Sequence, residues 1–292
     1  MIKKMSAFFP GSRALPKQVS ASGGVNECRP VESVRLPVWN LDVDPRTSLE
    51  VIDWVSKPCK GSKRILLGNN LHSVFLYLTE PRFASVYRTA DLSIVDGFPV
   101  LILANLARWM LNQSKLGSEF RCGSTDWLSY VERLPSGFRM AVIGGTANSN
   151  SMACSRFAEV APTLAIAGWD GFDDARHLKA EGFEGLRVFA PDLVLVAMGM
   201  PTQEYFILDS WSDLPDATYA TVGGAVDQIS GMQRNAPRIL GRFGLEWLWR
   251  LVNNPIRLSG RYLWEPVKLL ALTLRLLFYP EMRNRNRESG SQ

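Results

Sequence analysis

From Arg64 onward the chain alternates short apolar runs with longer amphipathic stretches, and this alternation limits the folds that are open to it. Most of the apolar runs end in Gly or Asp. The predicted strands are 65–67, 92–95, 140–143, 164–166, 193–197 and 218–222, and the predicted helices include 100–111, 126–134, 151–160 and 202–211. Such alternation predicts an α/β fold with a doubly wound, mainly parallel, Rossmann-like sheet.

The run 191–204 combines a predicted strand with features of a binding site. The strand ends in Gly199 and Pro201, and the polar side chains Gln203 and Glu204 follow directly. Ligands of open parallel sheets bind just beyond the carboxyl ends of the strands, where a following helix offers free N–H groups to an anion. The run therefore predicts a site for a phosphorylated substrate. For Gln203 and Glu204, a solvated first helical turn is the alternative interpretation.

The composition is that of an ordinary globular protein, with 46% hydrophobic and 21% charged residues among 292. We expect a flexible leader over 1–35, an α/β catalytic domain over 36–237, a basic helical appendage over 238–280 and a disordered tail over 281–292. The leader lacks the apolar core of a signal peptide, and no segment reaches the ~20 apolar residues of a membrane span. The four cysteines form no Cys-x-x-Cys pair, which favours a reducing cytoplasm over a zinc site or a disulfide framework.

The positive charge is concentrated near the C-terminus. Eleven Lys or Arg and four Glu lie from Arg234 onward, whereas the whole chain carries a net charge of +5. This asymmetry predicts an anionic partner: nucleic acid, a phosphorylated substrate or a membrane surface. The Leu-rich segment 266–278 is predicted to be a helix, and one position that the sequence leaves open to it is on a bilayer surface. Packing on its own domain or on a second subunit is the alternative, and the sequence leaves a homo-oligomer open.

Five blocks of the sequence resemble, in order, the WecG/TagA/CpsF family of bacterial glycosyltransferases (glycosyltransferase family 26). The blocks are 95–99, 191–204, 222–227, 231–237 and 244–250, and the resemblance extends from about residue 65 to 262. It implies an inverting, metal-independent enzyme without a cofactor. It implies transfer of N-acetylmannosamine, its uronic acid or glucose from a UDP-sugar to a polyprenyl-diphosphate-linked saccharide, in surface polysaccharide or exopolysaccharide synthesis. It also implies a cytoplasmic, peripheral location on the inner face of the bacterial membrane and no nucleic-acid partner.

Asp96 is the best catalytic candidate. It ends a predicted strand, precedes Gly97, and is followed by Pro99 at the start of the next helix. Glycosyl transfer to a hydroxyl requires a base that removes its proton. The resemblance implies that Asp96 is this base, whereas an ordinary helix cap is the alternative.

The remaining candidates are predicted to bind the donor or its diphosphate. Gly144–Gly145 follows a strand but lacks the Gly-x-Gly-x-x-Gly spacing of dinucleotide sites. The resemblance implies a place for Asp227 in the substrate pocket, and family members usually carry Thr shortly before Asn70, where this chain has Gly68. The loop 121–126 also resembles a family segment, although Ser124 or Thr125 explains it as a helix cap. The full set is Asn70, Gly144, Gly145, Gly199, Gln203, Glu204, Gly223, Gly224 and Asp227.

Arg250, Arg257 and Arg261 are spaced so that an uninterrupted helix would place them on one face, although Pro255 and Gly260 interrupt it. Guanidinium groups pair bidentately with diphosphate oxygens. The resemblance implies that these arginines belong to a C-terminal appendage that closes over the active site. An ordinary basic surface is the alternative.

Metal binding is not predicted. Asp42-Val-Asp44 has the spelling of a metal-binding Asp-x-Asp pair, but it precedes the first predicted strand and we expect a coincidence. The only histidines, His72 and His177, are far apart in sequence. Two rival functions stay open: a nucleotide-dependent oxidoreductase on a similar sheet, and a non-enzymatic adaptor that binds a membrane or nucleic acid through the basic tail.

Overall fold

The computed structural model describes residues 32–36, 38–57, 59, 61–233, 246–253 and 255–278. Within the helices, the side chains of residues 246, 247, 250, 253 and 257 are outside this description. The predicted tail and residues 1–31 of the predicted leader also lie outside the described residues. The first strand begins at Val34, so the end of the predicted leader belongs to the fold.

The strands are short and the helices mostly two to four turns long. The strands are β1 (Val34–Leu36), β2 (Leu41–Val43), β3 (Arg64–Asn69), β4 (Leu92–Val95), β5 (Arg139–Gly144), β6 (Ala165–Trp169), β7 (Leu193–Ala197) and β8 (Thr218–Thr221). The helices up to the last strand are α1 (Ser48–Val55), α2 (Leu71–Thr79), α3 (Pro81–Arg88), α4 (Phe98–Met110), α5 (Ser124–Leu128), α6 (Ala147–Val160), α7 (Asp173–Ala180), α8 (Glu184–Phe189) and α9 (Thr202–Ser210). After β8 come α10 (Ala225–Ser230), α11 (Glu246–Asn253), α12 (Pro255–Ser259), a π-helical turn (Gly260–Trp264) and α13 (Glu265–Phe278).

Six strands form one parallel sheet in the order β4-β3-β8-β7-β5-β6, which confirms the predicted doubly wound α/β fold. From β5 the chain moves outward through α6 to β6, whereas from β7 it moves in the opposite direction through α9 to β8. Neighbouring strands whose connections diverge leave a crevice at their carboxyl ends. In this protein the crevice lies between β5 and β7.

The central strand β7 is apolar throughout, as expected where helices cover both faces of a sheet. In β7, Val194 and Val196 face one core while Leu193 and Leu195 face the other, and all four are buried. One core contains residues of α2, α3, α4, α7, α8, α9 and α13. The other contains residues of α1, α5, α6 and α10. The period-2 alternation within each strand thus builds two cores from one sheet.

Helix α13 confirms the predicted C-terminal helix. The antiparallel hairpin β1–β2 was not predicted. Leu269 and Leu276 of α13 are buried, and Trp39 of the hairpin turn donates its indole N–H to Thr273 Oγ1 at 2.9 Å. Helix α13 therefore packs on its own domain along one face. Within the described ranges, no helix has the length and apolar character needed to cross a bilayer.

Candidate active site

Most of the predicted site residues lie at the carboxyl edge of the sheet. Asn70 follows β3, Asp96 follows β4, Gly199 follows β7 and Gly223 follows β8. Neighbouring strands lie about 4.8 Å apart, so the ends of β4 and β7 are separated by about 14 Å along this edge. The edge is therefore wide enough for an extended ligand that reaches from the β5–β7 crevice to Asp96.

Asp96 is held by the N-terminal cap of helix α2. The Asn70 carboxamide donates from Nδ2 to Asp96 Oδ2 at 3.1 Å, while its Oδ1 accepts the backbone N–H groups of His72 and Ser73. Because the amide oxygen caps the helix, the amide nitrogen is directed at Asp96. The N-cap of α4 is Gly97, so Asp96 is not the helix cap that the alternative interpretation required.

Two glycines border the half-buried Asp96 carboxylate. A β-carbon built on Gly123 would lie 2.8 Å from Asp96 Oδ1, so any side chain there displaces the carboxylate. A β-carbon on Gly68 would lie 3.4 Å from Asp96 Cβ, which is an ordinary contact. Gly68 therefore leaves a small space beside Asp96 and presents no hydroxyl to it.

Arg121 lies beside the same carboxylate and was not among the predicted site residues. Its Nη2 lies 3.2 Å from Asp126 Oδ2, and its guanidinium lies 5.3 Å from the centroid of the Phe98 ring. The Gly123 N–H donates to Asp126 Oδ2 at 2.8 Å, so Asp126 rather than Ser124 or Thr125 closes the start of α5. Asp126 thus fixes a cation near Asp96, and the sequence signal for Arg121 is its place in the loop 121–126, which resembles a family segment.

Gln203 and Glu204 are buried, with exposed fractions of 1% and 0%. Gln203 Oε1 accepts the N–H of Gly223 at 3.0 Å, and Gln203 Nε2 donates to Glu204 Oε1 at 2.8 Å. Glu204 Oε2 has no hydrogen-bond partner among the described residues. The solvated helical turn of the alternative interpretation is therefore absent, and these side chains instead tie the β8 turn to helix α9.

Burial raises the pKa of Glu204 to about 7, although the hydrogen bond from Gln203 and the charge of Arg261 act in the opposite direction. The hydroxyl of the buried Tyr87 donates to the Gly68 carbonyl at 2.9 Å. Burial, and secondarily the negative charges of Glu204 and Asp96, raise the pKa of Tyr87 well above its usual range. Tyr87 thus lies within electrostatic range of both carboxyl groups.

The glycines at the β5–β7 crevice differ in role. Gly144 has φ +131°, and a side chain on it would collide with the Ala197 backbone. Gly145 has φ +71° and donates its N–H to the Ala197 carbonyl at 3.1 Å, so this turn is shaped by packing between strands. Gly199 has φ +76° and open space where a side chain would stand. Of the three, Gly199 is the one whose backbone a ligand can approach.

Gly223, Gly224 and Asp227 form the turn from β8 into helix α10. Gly223 has φ +51°, and Gly224 is the N-cap of the helix. Asp227 lies half-buried in its first turn, where its carbonyl accepts the N–H of Gln233 at 2.9 Å. The structure therefore groups Gly223 with Gln203 and Glu204, and it gives Asp227 a place on the same edge.

The three predicted arginines lie in the C-terminal helices. Arg250 is in α11 and Arg257 in α12, and the side chains of both lie outside the described residues. Arg261 lies in the π-helical turn, and its charge reaches Glu204 and His72, where it lowers the pKa of each. Arg261 is thus brought to the carboxyl edge of the sheet.

A hydrogen bond joins the start of α13 to the start of α2. His72 Nδ1 lies 2.6 Å from Glu265 Oε2. Burial, with a smaller contribution from Arg261, lowers the pKa of His72 to about 4, and burial raises the pKa of Glu265. The short contact between the two side chains is a hydrogen bond. Since His72 is two residues from Asn70, the C-terminal helix contacts the element that holds Asp96.

The Asp42-Val-Asp44 pair is engaged within the fold. Asp42 pairs with Arg35 across the hairpin, and Asp44 accepts the backbone N–H of Ser93 at 2.7 Å. Among the residues described, no group of three or more His, Cys, Asp or Glu is arranged to hold a metal ion.

The doubly wound parallel sheet carries a positioned carboxylate, a flanking guanidinium and a glycine-lined crevice on one edge, which is the edge where open α/β sheets bind their ligands. Residues 36–283 match the family described as glycosyl transferase, WecG/TagA/CpsF family. The match covers most of the chain, so this protein belongs to the WecG/TagA/CpsF family of glycosyltransferases. The resemblance predicted from five blocks is confirmed, and the oxidoreductase and adaptor functions are set aside.

The chain is also similar to a protein of Bacillus spizizenii (strain ATCC 23059 / NRRL B-14472 / W23). That relative is named N-acetylglucosaminyldiphosphoundecaprenol N-acetyl-beta-D-mannosaminyltransferase. The two are 29% identical over 185 residues, which is 63% of this chain and 68% of the relative.

Proposed function

We propose that this glycosyltransferase moves an N-acetylmannosaminyl group from a UDP-sugar to N-acetylglucosamine carried on a polyprenyl diphosphate, with inversion at the anomeric carbon. The sugar and the acceptor are supported by the name of the Bacillus relative. The observation that carries the chemistry is the Asp96 carboxylate, oriented by Asn70 at the carboxyl edge of the sheet. The product would serve bacterial surface polysaccharide or exopolysaccharide synthesis.

Asp96 is the proposed general base. It accepts the proton of the acceptor hydroxyl while that oxygen forms its bond to the anomeric carbon of the donor. The bond from the anomeric carbon to the phosphate oxygen breaks in the same step, and UDP leaves with the bonding electrons. A single displacement of this kind inverts the anomeric configuration.

The donor is proposed to lie along the carboxyl edge, with its nucleotide at the β5–β7 crevice and its sugar near Asp96. The Gly199 backbone is open to a ligand, and the Gly223 turn is fixed by Gln203 and Glu204. Asp227, Gly224, Gly144 and Gly145 complete the proposed binding edge. Asn70 acts on Asp96 as a positioning residue.

The departing diphosphate is proposed to be neutralised by Arg261, together with Arg250 and Arg257. The support is the electrostatic reach of Arg261 to the buried Glu204, together with the resemblance that assigns all three arginines to a closing appendage. Guanidinium groups suit this role because they stay charged and bind phosphate oxygens in pairs. The acceptor's lipid implies a peripheral position on the cytoplasmic face of the membrane.

The direct test is a transfer assay with purified protein, UDP-N-acetylmannosamine and a lipid-diphosphate-linked N-acetylglucosamine. We expect UDP release that depends on the acceptor and persists with a chelator, and a β-linkage in the product from an α-linked donor. UDP-glucose and the uronic-acid donor serve as controls for the sugar. Preference for either would overturn the sugar assignment alone, whereas no transfer from any UDP-sugar would overturn the proposed function.

A further inference from the structure

Helix α4 is apolar on both sides. Its inner residues, among them Val100, Ala104 and Ala107, are buried in the core. Its outer residues are also large and apolar, yet they stay in solvent: the exposed fractions are 64% for Ile102, 51% for Leu106, 73% for Trp109 and 63% for Met110, and Leu111 follows at 66%. We call Ile102, Leu106, Trp109 and Met110 the outer face of α4. Their spacing of four, three and one residues places them on one side of the helix.

The segment that carries this face contains no acidic residue. From residue 97 to 118 there is no Asp or Glu, and the charged residues are Lys115 and Arg108, whose buried side chain donates from Nε to the Ser114 carbonyl at 2.7 Å. Lys115 is exposed just beyond the end of the helix. An exposed Trp among aliphatic residues, with an exposed Lys and no acidic residue in the same segment, is the pattern of a surface that enters the interface of an anionic bilayer.

The position of the face relates it to catalysis. Helix α4 begins two residues after Asp96, and at 1.5 Å per residue Ile102 lies about 6 Å and Trp109 about 17 Å from its first residue. The face therefore starts close to the carboxylate and leads away from it. A lipid-linked acceptor needs such an arrangement, since its sugar must reach the base while its chain stays in the membrane.

A second apolar helix lies on the same core. Helix α4 packs on β1, and the hairpin turn after β1 is bonded to α13 through Trp39 and Thr273. The outer side of α13 exposes Val267 and Leu270, each by 60%. The hairpin thus connects two helices whose outward sides are both apolar.

We infer that the outer face of α4 inserts into the interfacial layer of an anionic bilayer and so presents Asp96 to lipid-linked acceptors at the membrane surface. This inference rests on the proposed function for its biological meaning, although the binding itself does not require catalysis.

A second copy of the chain fits the outer face of α4 less well than a bilayer does. A stable interface between copies buries about 800 Å² on each partner over 20–30 residues, far more than this face offers.

The test compares the full-length protein with the double variant Leu106→Gln/Trp109→Gln. Gln keeps helix propensity while it removes the apolar surface. The matched control is Leu49→Gln/Val188→Gln, which removes exposed apolar side chains of α1 and α8. Co-flotation is measured with vesicles of phosphatidylglycerol and phosphatidylcholine, and no substrate is added. We expect the α4 variant to bind at least about tenfold more weakly and the control to bind like the wild type.

Circular dichroism and the melting temperature verify that both variants are folded. If the α4 variant floats with the vesicles as the wild type does, the inference is wrong. If its oligomeric state also changes, the face instead contacts a second copy of the chain. A transfer assay separates the two proposals: the α4 variant should lose activity on a vesicle-embedded acceptor and keep it on a short-chain soluble one. If the wild type transfers no sugar at all, the proposed function fails while flotation still decides this inference.

Discussion

The carboxamide of Asn70 is shared between a helix cap and the Asp96 carboxylate. Its oxygen accepts two backbone N–H groups of α2, and its nitrogen donates to Asp96 Oδ2 at 3.1 Å. The orientation of the candidate base is therefore coupled to the start of a helix. The same helix start is bonded to α13 through His72 and Glu265.

Substitutions of Asn70 separate its two roles. Asn70→Ser keeps a capping side chain but loses the donor to Asp96, so we expect kcat to fall by up to about 100-fold with little change in stability. Asn70→Ala loses both the helix cap and the donor to Asp96, so its free energy of unfolding should also fall by about 1 kcal/mol. Steady-state kinetics and urea unfolding check both variants. Full activity of the Ser variant would show that Asp96 needs no partner at this position.

Gly123→Ala should displace the Asp96 carboxylate, because the new β-carbon would lie 2.8 Å from Oδ1. Gly68→Ala is the matched control, since its β-carbon meets Asp96 at ordinary contact distance. We expect a loss of kcat in the first variant of at least about tenfold, and a much smaller loss in the second. Equal kinetics of the two variants would contradict the assigned geometry.

Glu204 gives the fold a pH-dependent stability. The folded-state pKa of about 7 lies above the ordinary value of 4.5, so folding disfavours the charged carboxylate. The stability contributed by the neutral form is complete below about pH 4.5 and is lost as the pH rises through 7. From the shift, Glu204→Gln should stabilise the protein relative to the wild type by about 3 kcal/mol at pH 8 and by much less at pH 5. Urea unfolding at both pH values checks this, and a difference independent of pH would contradict it.

Thr273→Val should loosen the C-terminal helix. The substitution conserves shape but removes the acceptor of the Trp39 indole N–H, at a cost of about 1 kcal/mol. Hydrogen exchange of the α13 amides should accelerate more than that of β5 and β7. Unchanged protection of α13 would show that Leu269 and Leu276 hold the helix without this bond.

The parallel sheet was predictable because β5 and β7 are buried on both faces and therefore appear as continuous apolar runs. The β1–β2 hairpin was not, since each of its strands has three residues and no periodic signal can develop in so short a run. Helix α5 ends at Leu128, short of the predicted 134, because the chain turns there into a 3₁₀ segment at Val131–Arg133.

The positions of the candidate site residues along the sheet edge were more predictable than their contacts. Asp96 was found from its place after a strand, but its bond to Asn70 depends on β3 and β4 being neighbours, which no local pattern encodes. Gln203 and Glu204 were predicted as ligand contacts, and the structure buries both within the turn network. Arg121 was missed because a lone Arg before a turn has no distinguishing pattern.

The most direct test of the account is the kinetics of Asp96→Asn, an isosteric change that removes the negative charge and the ability to accept a proton. We predict that kcat falls by a factor of about 10² to 10⁴ while the UDP-sugar binds with its normal Kd. Asp209→Asn, an exposed carboxylate paired with Arg82 on the surface, should behave like the wild type. If Asp96→Asn retains most of its turnover with the donor normally bound, Asp96 is not the base and the central claim is wrong.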